Sequence, residues 1–367
     1  MNSPRPRMGK PHVSQITLIL APATIVLVLL TAIWVAGIDF DHALGIAGLV
    51  YGVAAQALAE LRQRDAPRKS IVVVGMDDHP YLRNIVDGLR DGLDGAMPFE
   101  LTTFTPPANE HASDRWQVHV LDGIKVHDAH AVVVLPSADN VDVWNSLARL
   151  QRKGIFVIVA DHRPPRELFV NAGLKPPPYV ASDFLKGGSL AGRLIADRLQ
   201  SNETTFAVVA MGPGEVGPGT ARSGRVVYEL ARSGLNGRTR AVELASWDAV
   251  AARDCLFQSA SDVLTDAANK VIIFCGDDRI LLEMQRAFAD QGDCEGRVEL
   301  VGYDGTYAID GQLLARDYSL AVATIDTQPR RQGDVIAQIL RDAYHRQASQ
   351  DTEERLVEPQ LVETARP

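Results

Sequence analysis

The sequence predicts an α/β protein built of parallel, doubly wound sheets, and three observations carry that expectation. From residue 70 onward, short β-rich runs alternate with helical patterns, the arrangement of parallel strands joined by crossover helices. The number of such runs, about ten, exceeds what one sheet comfortably holds, so two similar lobes are expected. Five of the apolar runs also end on an aspartate: 71–76 before Asp77 and Asp78, 156–160 before Asp161, 179–181 before Ser182 and Asp183, 271–275 before Gly276, Asp277 and Asp278, and 298–303 before Asp304. Open α/β sheets bind ligands beyond the carboxyl ends of their strands. Acids repeated at that edge offer acceptors to something rich in hydroxyl or amine donors.

The elements follow in chain order. Residues 16–37 form a 22-residue stretch without a charge. That length spans a bilayer and exceeds a signal-peptide core of about 7–15 residues, so a retained anchor is expected. Arg5, Arg7 and Lys10 precede it and keep that end in the cytoplasm. Residues 43–61 are a candidate second span with Gly48 and Gly52 at GxxxG spacing, followed by Arg62, Arg64, Arg68 and Lys69. Two readings stay open: a hairpin with both ends cytoplasmic, or a juxtamembrane helix outside the bilayer, in keeping with Gln56 and Glu60. The choice decides on which side of the membrane residues 70–367 lie.

Beyond residue 70, the strand 71–74 leads to a helix over 81–93, where Leu82, Ile85, Val86 and Leu89 keep helical spacing. The strand 131–135 leads to a helix over 141–152, and 156–160 follows the turn Lys153-Gly154. A helix over 189–199 and strands at 206–211, 241–244, 271–275, 298–301 and 320–325 complete the pattern. Asn84 and Asp87 mark a solvated helix face. The tail 347–367 is polar and expected to be disordered.

Composition excludes several classes. The 367 residues are 46% apolar and 23% charged, as in an ordinary globular protein, and the net charge of −9 argues against a nucleic-acid partner. Cys255, Cys275 and Cys294 are odd in number and lack metal-site spacing. Cys275 closes an apolar run and reads as a buried thiol. His119, His127 and His130 read as polar surface, because no third ligand stands at convincing spacing. Gly212, Gly214 and Gly217 match the GxGxxG dinucleotide fingerprint, which would make the chain an NAD-dependent dehydrogenase with Glu243 on the ribose. Pro213 and Pro218 stiffen the turn where pyrophosphate would approach, and the βα units upstream would go unexplained. No nucleophile elbow, P-loop or HExxH appears, so no enzyme, cofactor or metal site is expected.

The segments DDHPYLRNIVDGL, AVVVLPSADN, GIFVIVADHRP, YVASDFLKGGSLAG, ARSGR, ELASWD, IIFCGDD, ELVGYDGT and ATIDTQP stand in one order over some 270 residues. In that order and spacing the chain resembles the type I periplasmic binding proteins, the ribose and sugar-binding class. The resemblance implies two Rossmann-like lobes joined by a three-strand hinge around a solute, and the apolar stretches put an N-terminal anchor over 1–69 before them. Lobe 1 would comprise 70–183 with 327–346, and lobe 2 would comprise 184–326.

Carried over residue by residue, the resemblance implies ligand contacts from His79 and a stacking Tyr81, and from Asp161 with His162 or Arg163. It further implies Asp183, Arg222, an aromatic platform at Trp247, Asp277, Asp304, and Thr327 or Gln328. Family members commonly carry Arg where His162 stands, Asn where Phe184 and Asp277 stand, and Gln where Thr327 stands. Carboxylates accept from adjacent hydroxyls and Arg donates in a planar fork, so this donor set fits a neutral or aminated sugar or polyol. The implied partner is an ABC permease at the bacterial inner membrane, or a membrane sensor. The soluble part would be periplasmic by family, and cytoplasmic if 43–61 is a second span. The lactose-repressor-type regulators share the ligand-binding fold, but residues 1–69 offer apolar spans instead of a helix-turn-helix. Simpler roles stay open beside these: any of the aspartates serves as a helix N-cap, Trp247 as a core residue, and Arg222 as a surface residue at a helix start.

Overall fold

The computed structural model describes residues 69–96, 98–107, 114–137, 140–213, 217–266, 268–291, 296–305, 320–346 and 354–363, together with Thr31 and Gly52. Apart from those two residues, the expected spans 16–37 and 43–61 lie outside the described residues, as does Cys294. Among the described residues no helix is long and apolar enough to cross a membrane. Residues 69–367 form one compact unit, which holds the α/β fold.

One six-stranded sheet contains β1 (Lys69–Val74), β2 (Phe99–Phe104), β3 (Ala131–Val134), β4 (Phe156–Ala160) and β5 (Tyr179–Ser182), and a late strand, β11 (Glu354–Val357), in the order β11-β5-β4-β3-β1-β2. The other contains β6 (Thr205–Met211), β7 (Thr239–Glu243), β8 (Lys270–Phe274), β9 (Val298–Asp304), β10 (Ala321–Asp326) and β12 (Gln360–Glu363), in the order β12-β10-β9-β8-β6-β7. The two orders are the same once corresponding strands are matched. Every pair is parallel except β10 with β12.

Residue alternation explains why these runs become central strands. Ile71 and Val73 face one layer of helices while Val72 and Val74 face the other. In the second lobe Val208 and Ala210 face one layer and Ala207 and Val209 the other. Strands covered on both faces read as continuous apolar runs, and burying each Val or Ile contributes about 1.5–3 kcal/mol.

In the first lobe the helices are α1 (Pro80–Leu93), α2 (Asp114–Gly123), α3 (Val141–Arg152) and α4 (Arg166–Asn171). In the second they are α5 (Phe184–Gln200), α6 (Pro218–Arg232), α7 (Ala249–Ser259), α8 (Ser261–Thr265) and α9 (Asp278–Gln291). A last helix, α10 (Pro329–Arg346), follows β10 yet packs on α1, because Gly88 and Gly333 let the two backbones touch. A Cβ on Gly88 would lie 1.9 Å from the Arg330 carbonyl oxygen.

The chain therefore passes between the sheets three times: at Asp183, at residues 327–328 and at residues 358–359. The tail expected to be disordered beyond residue 347 instead supplies a strand to each sheet over 354–357 and 360–363. Backbone pairing to β5 and β10 orders it, while its charged side chains Glu354 and Glu363 stay outside.

Candidate functional site

Two of the strand-end acids occupy matching places in the two lobes. Asp161 ends β4 and Asp304 ends β9, the fourth strands of equivalent sheets. Both adopt the left-handed backbone conformation, with φ of 70° and 96°. Such geometry costs a non-glycine residue on the order of 1–3 kcal/mol and persists where surrounding structure imposes it. The Asp161 N–H donates to the Val180 carbonyl (3.0 Å), and the Thr327 hydroxyl donates to the Asp304 carbonyl (3.1 Å).

The side chains meet in the cleft. Arg222, on the first turns of α6 and only 8% exposed, lies with Nη1 3.3 Å from Asp304 Oδ1. Its guanidinium stacks over the rings of Trp247 (4.6 Å) and Tyr303 (4.8 Å). Burial raises the Asp304 pKa to about 7; Arg222 opposes the rise, while Asp277 and Asp161 add to it. That dependence links an acid of lobe 1 to two acids of lobe 2 in one electrostatic site.

Trp247 is seated by glycines. A Cβ would lie 2.7 Å from its ring at Gly212 and 2.3 Å at Gly219. Gly212, the first glycine of the GxGxxG motif, thus makes room for an indole and not for a pyrophosphate.

Asp277 is buried and accepts from the Arg279 N–H (2.7 Å) and from its guanidinium (Nη2, 2.7 Å). Burial alone would raise its pKa, but Arg279 outweighs that and holds the carboxyl below its usual value. Arg279 also reaches Asp77 of lobe 1 (3.2 Å), so one guanidinium joins an acid from each lobe. The adjacent Asp278 instead accepts from the Thr324 hydroxyl (2.8 Å) inside lobe 2.

His79 caps α1, its Nδ1 accepting from the Tyr81 N–H (3.2 Å). Burial and the nearby Arg279 keep the imidazole below its usual pKa, against the pull of Asp277 and Asp77. A neutral ring whose Nδ1 accepts carries its proton on Nε2. That buried Nε2 has no partner among the described residues, nor does Arg222 Nε, and nor do the hydroxyls of Ser182 and Tyr303. Buried polar atoms normally find partners, so the His79 Nε2 and the Arg222 Nε left open beside the acids point to a polar occupant.

Several expected residues take other places. Tyr81 is no stacking platform: it is 5% exposed in the lobe 1 core. Its hydroxyl donates to Gln332 Oε1 (3.0 Å) and lies 3.3 Å from Asp161 Oδ1. It forms part of the α1 face with Ile85 and Leu89, which fixes its ring in the core. Arg163 turns outward to an ion pair with Glu354, leaving His162, 3.8 Å from Asp161, as its basic neighbour. Asp183 caps α5 by accepting from the Lys186 N–H (2.9 Å).

Thr327 is fully buried and tied to Asp304, and Gln328 donates through Nε2 to Asp326 (2.5 Å), so both serve the second crossing. The polar residues that the sequence did not single out are Arg279 and Gln332, whose Nε2 donates to the Thr327 carbonyl (2.9 Å). Asp161, His162 and Asp183 also line a cavity of about 870 Å³ beside this cluster.

The remaining candidates lie apart. The His130 Nδ1 accepts from the Ser70 N–H (3.1 Å), and His127 lies 3.2 Å from Asp128. Cys275 is a buried free thiol whose pKa is raised by burial and by Asp278 and Asp277.

No family model matches the chain. In sequence it is similar to a ribose import binding protein of Haemophilus influenzae, 26% identical over 260 residues, covering 70% of this chain and 79% of the relative. A D-allose-binding periplasmic protein of Escherichia coli is 25% identical over 166 residues, covering 45% of this chain and 51% of the relative. Among solved structures, a periplasmic solute-binding protein of an ABC transporter from Actinobacillus succinogenes, with bound D-allose, superposes with a TM-score of 0.64. It is 18% identical and covers 81% of this chain and 98% of its own. A solute-binding protein from Bacillus halodurans with bound myo-inositol gives 0.61 at 17% identity, covering 82% and 96%. The chain has the type I periplasmic binding protein fold, and the proteins it resembles are sugar-binding members of ABC transport systems, not enzymes.

Proposed function

We propose that the chain is a solute-binding protein that closes its two lobes on a sugar or polyol. One observation supports this most: Asp161 from lobe 1 and Asp277 and Asp304 from lobe 2 share a buried site with Arg222 and Trp247. Carboxylates accept from vicinal hydroxyls, Arg222 donates to ring or hydroxyl oxygens, and the free Nε2–H of His79 supplies a further donor. Trp247 supplies a face for the C–H surface of a ring once the guanidinium that covers it shifts toward a ligand. Three acids against two arginines favour neutral or aminated ligands over phosphorylated ones.

The 16–37 stretch anchors the protein at the inner membrane, and an ABC permease or a membrane sensor reads the closed form. His79, Asp161, His162, Arg222, Trp247, Asp277 and Asp304 make the ligand shell. A thermal-shift screen of the full chain against D-ribose, D-allose, myo-inositol and other monosaccharides tests the reading. At least one should stabilise the protein, and Asp161→Asn should remove that shift. Absence of stabilisation by every sugar and polyol would end the proposal.

A further inference from the structure

The cavity beside the acid cluster differs from it in chemistry. At about 870 Å³ it lies near the upper end of the range, about 300–1,000 Å³, of pockets that enclose drug-sized molecules. A single sugar ring fills only a fraction of that space. Its walls are mainly apolar and come from separate elements, Val141 and Trp144 of α3, Phe184 and Leu185 of α5, and Leu356 of β11, with Arg163, Arg166 and Glu167 at one side. Val141, Leu185 and Leu356 are 57%, 58% and 49% exposed, so three large apolar side chains stand in solvent around one opening. Scattered exposed apolar residues need no explanation, but a convergent rim over a cavity marks a binding surface. The floor is polar: Asp161 and Asp183 line it with Ser182, whose side chain is fully buried and whose Oγ has no partner among the described residues.

We propose that this cavity holds an apolar substituent of the ligand, so that the substrate class is a glycoside or alkyl- or aryl-substituted sugar and not a free monosaccharide. The inference rests on the sugar-binding reading above, since Asp161 belongs to both the acid cluster and the cavity floor. The sugar ring lies against Asp161, Asp304 and Arg222, and the substituent passes Asp161 into the chamber. The continuity of this apolar chamber with Asp161 of the sugar site favours an extension of the same small ligand over a protein surface.

Calorimetric titration of the full chain with D-ribose and D-allose and with their methyl and phenyl glycosides tests this. The phenyl glycoside of the accepted sugar should bind about tenfold or more tightly than the sugar itself, from the apolar area it buries. Leu185→Ser and Leu356→Ser, both at exposed positions, should erase that gain and leave binding of the bare sugar unchanged. If the bare sugar binds and the phenyl group adds nothing, the substituent pocket is refuted while sugar binding stands. Failure of every sugar and glycoside to bind overturns both. If the two variants instead convert a dimer to a monomer in sedimentation, the rim joins two copies of the chain and the proposal falls.

Discussion

A carboxyl whose folded pKa stands near 7 ties stability to pH in the direction opposite to a paired acid. Asp304 titrates near 3.8 when unfolded and near 7 when folded, raised first by burial. Between those values the folded chain holds a proton that the unfolded chain has released. Its contribution is therefore complete below about pH 4 and is lost as pH rises through about 7. Thermal melts of the unliganded protein should show the melting temperature falling between pH 5 and 7.5, and Asp304→Asn should flatten that slope. A ligand that donates hydroxyls to this carboxyl favours its ionised form, so binding should release a proton near pH 6.5. Titrations in buffers of different ionisation enthalpy measure that proton. The strand-end acids were legible because an apolar run followed by Asp marks the binding edge of a parallel sheet. Arg279 was not, since its partner Asp77 lies 202 residues away and only the folded lobes bring them together. Tyr81 stands four and eight residues before Ile85 and Leu89 and shares their buried stripe, which explains why its ring lies in the core and not against a ligand.

Helix α10 shows how an element can belong to the lobe it does not follow. It leaves β10 of the second sheet and lies along α1 of the first, with Gly88 against Arg330 and Gly333 against Ile85. The same helix places Gln332 between Tyr81 and Thr327, so its seating reaches the cleft. Gly88→Ala should destabilise the protein by about 1–3 kcal/mol through overpacking, read by chemical denaturation. The central strands and long helices were readable because continuous apolar runs and a 3.6-residue period are strong signals. The edge strands β2, β11 and β12 were not. Residues 99–104 leave four of their six side chains in solvent, and 354–363 pair through backbone groups that no side-chain pattern advertises.

At the scale of the whole molecule, the ion pair between Asp77 and Arg279 fastens the lobes at the edge of the site. Both side chains are about a third exposed, so solvent screens much of their attraction. Asp77→Asn leaves Asp277 paired with Arg279 and weakens only the bridge. It should increase the radius of gyration of the unliganded protein in small-angle scattering and leave the liganded value unchanged. Sugar affinity should fall by about three- to tenfold, because closure loses one favourable contact.

The three passages between the sheets also set a timetable. The first sheet begins with β1 but gains its last strand only after all of the second lobe except β12 has been made, and the second sheet closes last of all with β12. At synthesis rates of roughly 5–20 residues per second, β5 waits on the order of ten seconds for the strand that covers its edge. Neither lobe can be completed on the ribosome ahead of the other. The polypeptide thus emerges with two unfinished edges, a state that invites wrong pairing and that an export route requiring an unfolded chain would exploit.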